Sequence, residues 1–107
     1  MTINLCRVEM SSELITSTVT VLNPQGLHAR PADLLVRLAN QFQSPIEIGK
    51  KGEWVDAKSI LSLLTLGAAQ GTELGLRASG PDAQTAISAV KDLFARGFNE
   101  LGEPVDA

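Results

Sequence analysis

The sequence predicts an α+β domain in which one four-stranded sheet carries helices on a single face. Three observations lead there: short β-branched or alternating segments, longer stretches with apolar residues every three or four positions, and their order. That order is strand, helix, strand, strand, helix, strand, helix. A central hairpin with helices as crossovers packs most economically as one sheet covered on one face. At 107 residues the chain is the size of one domain.

Residues 1–12 show no sustained periodicity and read as an arm before a domain of residues 13–101, with 102–107 as a tail. Within 14–22, Thr16, Thr18, Val19, Thr20 and Val21 are β-branched, and Asn23-Pro24-Gln25-Gly26 supplies turn chemistry after them. Beyond Pro31, Ala32, Leu35, Leu38, Ala39 and Phe42 share one helical face, predicting a helix that ends near Gln43 and is stopped by Ser44-Pro45. Ile46-Glu47-Ile48 alternates and pairs with Glu53-Trp54-Val55 across the loop Gly49-Lys50-Lys51-Gly52. Ser59 stands where an N-cap belongs, before the apolar run from Ile60 to Leu66, and Gly67 stands where a glycine stops a helix. Leu74, Leu76 and Ala78 alternate as the fourth strand. Ser79-Gly80-Pro81-Asp82 then opens the last helix, with proline in its first turn. Ala83, Ala86, Ile87, Val90, Leu93, Phe94, Phe98 and Leu101 follow a single stripe along that helix.

Composition excludes several classes of function. A net charge of −3 and only four aromatic residues, Phe42, Trp54, Phe94 and Phe98, leave little to track phosphates or stack bases, so nucleic-acid binding is not expected. One histidine and one cysteine cannot form a zinc cluster, and no carboxylate spacing resembles a calcium loop, so neither metal nor other cofactor is expected. The apolar runs fall far short of the roughly 20 residues that span a bilayer, and no membrane insertion is expected. Cys6 has no internal disulfide partner, and with no export segment in view the expected compartment is the cytoplasm.

The chemistry concentrates at Gly26-Leu27-His28-Ala29-Arg30-Pro31-Ala32. The turn before and the helix after put His28 at or next to an N-cap. Proline in a first turn gives up an N–H that had no intrahelical partner, leaving the N–H groups of Ala29 and Arg30 as free donors. Such a helix entrance favours an anion, and the Arg30 guanidinium matches phosphate geometry. Beside these donors the imidazole supplies a nucleophilic nitrogen. No acid, base or metal stands nearby in sequence, so the site suits holding a phosphoryl group better than hydrolysing one. For a lone histidine, capping would be a sufficient account; the neighbours point further.

Those residues resemble the active-site signature of the HPr family, the histidine-containing phosphocarriers of the bacterial phosphoenolpyruvate-dependent phosphotransferase system. Ala57-Lys58-Ser59-Ile60-Leu61, followed by Thr65-Leu66-Gly67 and Gln70-Gly71-Thr72, is similar to the family's regulatory-serine helix and the turn after it. The likeness runs from about Val19 to Phe98. It implies an open-faced β-sandwich, three helices on one side of four antiparallel strands. It also implies that His28 accepts phosphate on Nδ1 from phosphorylated enzyme I and passes it to an enzyme IIA component in sugar uptake, with Arg30 assisting. The chain would then be a stoichiometric phosphocarrier rather than an enzyme, and a monomer. Two departures stand out: the 1–12 arm precedes the usual start, and Asn40 and Ser62 stand where a lysine can occur, although Arg37 is present.

Ser59 has a structural explanation as an N-cap. The resemblance adds phosphorylation by a regulatory kinase of the HPr kinase/phosphorylase type, which would act on partners such as a transcriptional regulator. Leu63 and Leu66 can face the core of this short helix, while Ile60, Leu61 and Leu64 cluster on another side as an exposed docking patch. Alternatives are the paralogous nitrogen-linked branch, which shares the histidine motif, and a regulatory binding module controlled through Ser59.

Overall fold

The computed structural model describes residues 14–99. The expected arm, 1–12, and tail, 102–107, lie outside them, as does Leu101. The elements are β1 (Leu14–Thr20), α1 (Ala29–Ala39), β2 (Ile46–Lys50), β3 (Glu53–Asp56), α2 (Ile60–Leu66), β4 (Glu73–Ser79) and α3 (Ala83–Ala95). The strands form one antiparallel sheet in the order β1-β4-β2-β3. β4, last in sequence, thus sits between β1 and β2, with Leu14 opposite Ser79 at one end and Thr20 opposite Glu73 at the other. This is the expected open-faced sandwich.

Strand alternation separates two faces. Val19, Ile46, Ile48, Leu74, Leu76 and Ala78 turn inward against Leu35, Leu63, Ile87, Val90 and Phe94 of the three helices. Among the described residues the opposite face carries no helix. There Trp54 lies against Gly49 and Gly75, where a Cβ would come within 2.7 and 2.9 Å of its ring. Arg77 sits 4.0 Å from the ring centroid and donates through Nε to Glu47 at 2.6 Å.

Four element boundaries differ from the sequence reading, each for a local reason. α1 ends at Ala39 rather than near Gln43: the N–H and Nδ2 of Asn40 both donate to the Val36 carbonyl, and the chain then tightens into three-residue bonds from Gln41 to Leu38 and Phe42 to Ala39. The hairpin loop is two residues, Lys51 and Gly52, both at positive φ as a primed turn requires, so Gly49 and Lys50 belong to β2. Pro81 precedes α3 instead of opening it; the helix begins at Ala83, with Asp82 as N-cap. The stripe of α3 also breaks: the helix stops at Ala95, and Gly97 and Phe98 take φ of 61° and 56°. That reversal folds Phe98 back onto Phe94, with ring centroids 4.7 Å apart, and buries it. Phe98 is a core residue by a kink, not by helical spacing.

Candidate functional site

The site grows from the loop that leaves β1. Asn23 accepts the N–H of Gly26 on its carbonyl at 3.0 Å and closes a four-residue turn. Gly26 has a φ of +73° and lies so close to the next layer that a Cβ would sit 2.5 Å from the Ala68 carbonyl oxygen. That carbonyl accepts the N–H of Leu27 at 2.9 Å, tying the turn to the end of α2. Leu27 is buried and anchors the chain, and the next residue is His28.

His28 is the N-cap of α1, with extended backbone (φ −88°, ψ −167°), and its carbonyl accepts the N–H of Ala32 at 2.9 Å. The N–H groups of Ala29 and Arg30 therefore open the helix with no intrahelical acceptor, and buried Pro31 contributes no N–H. The ring is half-buried with Nε2 turned inward, and the side chain does not cap its own helix. His28 and the exposed Arg30 line one shallow hollow with Pro24 and Gln25. A second hollow, lined by Gln25, Leu27, His28, Gly67, Ala68 and Ala69, runs from the ring to the C-terminus of α2. Neither contains a carboxylate.

α2 is held at both ends. Ser59 is its N-cap, and its hydroxyl accepts the N–H of Ser62 at 3.3 Å. Gly67 ends it in the left-handed conformation, while Nζ of Lys50 donates to the Leu66 and Gly67 carbonyls at 3.2 and 3.1 Å. Leu63 and Leu66 face inward. Leu61 is 72% exposed, with Ile60 at 37% and Leu64 at 39%, so one side of α2 presents apolar surface. Arg37 is exposed on α1 and pairs with Asp33 at 2.8 Å. Of the two positions where a lysine can occur, Asn40 donates through its side chain to the Val36 carbonyl, whereas Ser62 takes part through its backbone, its N–H donating to the Ser59 hydroxyl and its carbonyl accepting the Thr65 hydroxyl.

The fold thus brings His28, Ala29, Arg30 and the C-terminal end of α2 together. Sequence reading did not single out Gln25, which lines both hollows, or Asn23 and Lys50, which brace the loops on either side. For Asn23 the only signal was its place three residues before a glycine; Lys50 carried none. Among the described residues no group of three or more His, Cys, Asp or Glu could hold a metal ion, and no helix is long and apolar enough to cross a membrane.

Residues 15–96 match the family described as "PTS HPr component phosphorylation site", which puts the chain in the class of phosphocarrier components of the phosphotransferase system. It is 42% identical over 87 residues to the phosphocarrier protein HPr of Treponema pallidum (strain Nichols), covering 81% of this chain and 99% of the relative. The HPr of Xylella fastidiosa (strain Temecula1) is 41% identical, covering 81% of this chain and 98% of its own. Among solved structures, the crystal structure of HPr-C-His from Thermoanaerobacter tengcongensis aligns with a TM-score of 0.78 at 42% identity, over 80% of this chain and 97% of that one. An HPr dimer from the same organism aligns at 0.64 and 43% identity, over 77% of this chain and 94% of that one. The chain belongs to the HPr family of phosphocarrier proteins.

Proposed function

We propose that His28 is the phosphoryl acceptor, charged by phosphorylated enzyme I and discharged to an enzyme IIA component in sugar uptake. The observation that carries this reading is the placement of the ring at the mouth of α1, beside two open N–H groups and within one hollow with Arg30. The inward turn of Nε2 supports attack through Nδ1. Its lone pair forms the new P–N bond as the donor's bond to phosphorus breaks and that electron pair returns to the donor. The phosphoryl oxygens then meet the N–H groups of Ala29 and Arg30, the positive end of the helix, and the Arg30 guanidinium. With no carboxylate in either hollow to activate water, the phosphohistidine persists until a second protein accepts it, as a stoichiometric carrier requires.

The exposed side of α2, Ile60, Leu61 and Leu64, together with Arg37, serves in this reading as the surface on which enzyme I and the IIA component dock in turn, the carrier acting as a cytoplasmic monomer. Ser59 supports a regulatory addition. It is half-buried at the head of that helix, flanked by exposed Ile60, and a phosphate there would place negative charge on the docking side.

Labelled phosphoenolpyruvate with purified enzyme I should give an acid-labile phosphate on the wild type, slower labelling of Arg30→Ala, and none on His28→Ala. Persistent label on His28→Ala would refute the reading. Acid-stable label on Ser59 from ATP and a bifunctional kinase tests the regulatory addition separately.

A further inference from the structure

We propose that Asn23 is a positioning residue for the chemistry at His28, acting through one shared carbonyl. This rests on His28 being the phosphoryl acceptor. Asn23 is fully buried, and its Nδ2 donates to the Gly26 carbonyl oxygen at 2.6 Å. The same oxygen accepts the N–H of His28 at 2.9 Å. The N–H of Gly26 returns to the Asn23 carbonyl at 3.0 Å, so one residue closes the turn with both backbone and side chain. Just upstream, Nε2 of Gln70 donates to the Leu22 carbonyl at 3.0 Å and fixes the strand exit from which Asn23 departs.

The choice of residue is informative. A buried amide is costly unless its hydrogen bonds are made, and an apolar side chain of similar size would fill the same space more favourably. What Asn23 supplies is direction: its amide holds the Gly26 carbonyl in one orientation, and that carbonyl holds the backbone of His28. The ring leaves from that backbone, and the N–H groups of Ala29 and Arg30 follow within two residues. Removing the amide does not orphan the carbonyl, which keeps the His28 N–H. The loss therefore falls on the aim of the nucleophile relative to its anion site, where small misplacements are expensive in rate.

Phosphoramidate tests this without a docking partner. The Nδ1 lone pair forms the new P–N bond, the phosphoramidate P–N bond breaks, and its already protonated nitrogen leaves as ammonia. Phosphorus NMR should show Asn23→Ala and Asn23→Asp labelling about tenfold more slowly than the wild type at a temperature where all are folded. Aspartate fills the same space, but its carboxylate has no N–H to donate. Val90→Ala, which hollows the core beneath α3, should label at the wild-type rate once folded. In the wild type the Nδ2 protons of Asn23 should exchange slowly with solvent and shift when His28 is phosphorylated, a readout that needs no variant to fold. Wild-type rates in both Asn23 variants, equal slowing in Val90→Ala, or fast exchange of the Nδ2 protons would overturn the proposal. Absence of label on the wild type would overturn the reading of His28 itself, and this proposal with it.

Discussion

Gly26 meets two constraints at once, and they separate by substitution. Its φ of +73° is a left-handed conformation that costs an L residue about 1–2 kcal/mol, and its missing Cβ admits the Ala68 carbonyl oxygen to 2.5 Å of where that atom would be. Gly71, at φ +89° with open space around the same point, meets only the first. Chemical denaturation should therefore find Gly26→Ala more destabilised than Gly71→Ala by about 1–3 kcal/mol, and only Gly26→Ala should slow phosphorylation of His28. Equal losses would show that the contact with Ala68 does not constrain the turn. The placement of His28 and Arg30 was legible in the sequence because a turn, a cap and a first-turn proline are all written within a few residues. Asn23 and Lys50 were not, because each owes its role to burial or to a carbonyl 16 or 17 residues away.

At the scale of elements, α2 is the most dependent on its ends. A helix of seven residues is marginal by itself, and this one is fixed by the Ser59 hydroxyl at its start and by Gly67 and Lys50 at its finish. Ser59→Ala should cost about 1 kcal/mol in thermal or chemical unfolding, while Ser59→Asp should stay near the wild type, because aspartate caps equally well. That difference makes the regulatory reading testable without a folding artefact. If charge at this position controls docking, Ser59→Asp should slow phosphoryl transfer from enzyme I while leaving phosphoramidate labelling untouched. Slowing of both would point to distortion of the site instead. The caps of α2 were readable as residue types at the right spacing. The early end of α1 and the kink at Phe98 were not, because apolar periodicity continues through both: Phe42 stays packed through tighter turns and Phe98 through a reversal. Periodicity reports which residues seek the core, not whether the backbone reaches it as a helix.

Across the whole molecule, the sheet separates the His28 end from a polar latch at the other. His28 follows the Thr20 end of β1. At the Leu14 end, where Ser79 pairs, Asp82 accepts the N–H groups of Gln43 and Ser44, each at 2.9 Å, and the Ser44 hydroxyl at 2.5 Å. Seven residues of strand put the two ends roughly 20 Å apart. The latch joins the loop before β2 to the start of α3, and the Ser44 hydroxyl, then the Gln43 N–H, hold the Asp82 carboxyl below its ordinary value of 3.8 against a smaller opposing effect of burial. The folded chain therefore keeps this carboxylate ionised at a pH where the unfolded chain protonates it. Its contribution to stability is complete above the unfolded value and is lost as pH falls through the depressed folded one. Asp82→Asn, which keeps one acceptor oxygen but no charge, should melt below the wild type at pH 7, and the gap should close as pH falls below about 4. A gap of the same size at pH 2 and pH 7 would rule out ionisation of Asp82 as its source. Because the latch lies at the far end of the sheet from His28, the same variant, measured while folded at pH 7, should take phosphoryl label from phosphoramidate at the wild-type rate.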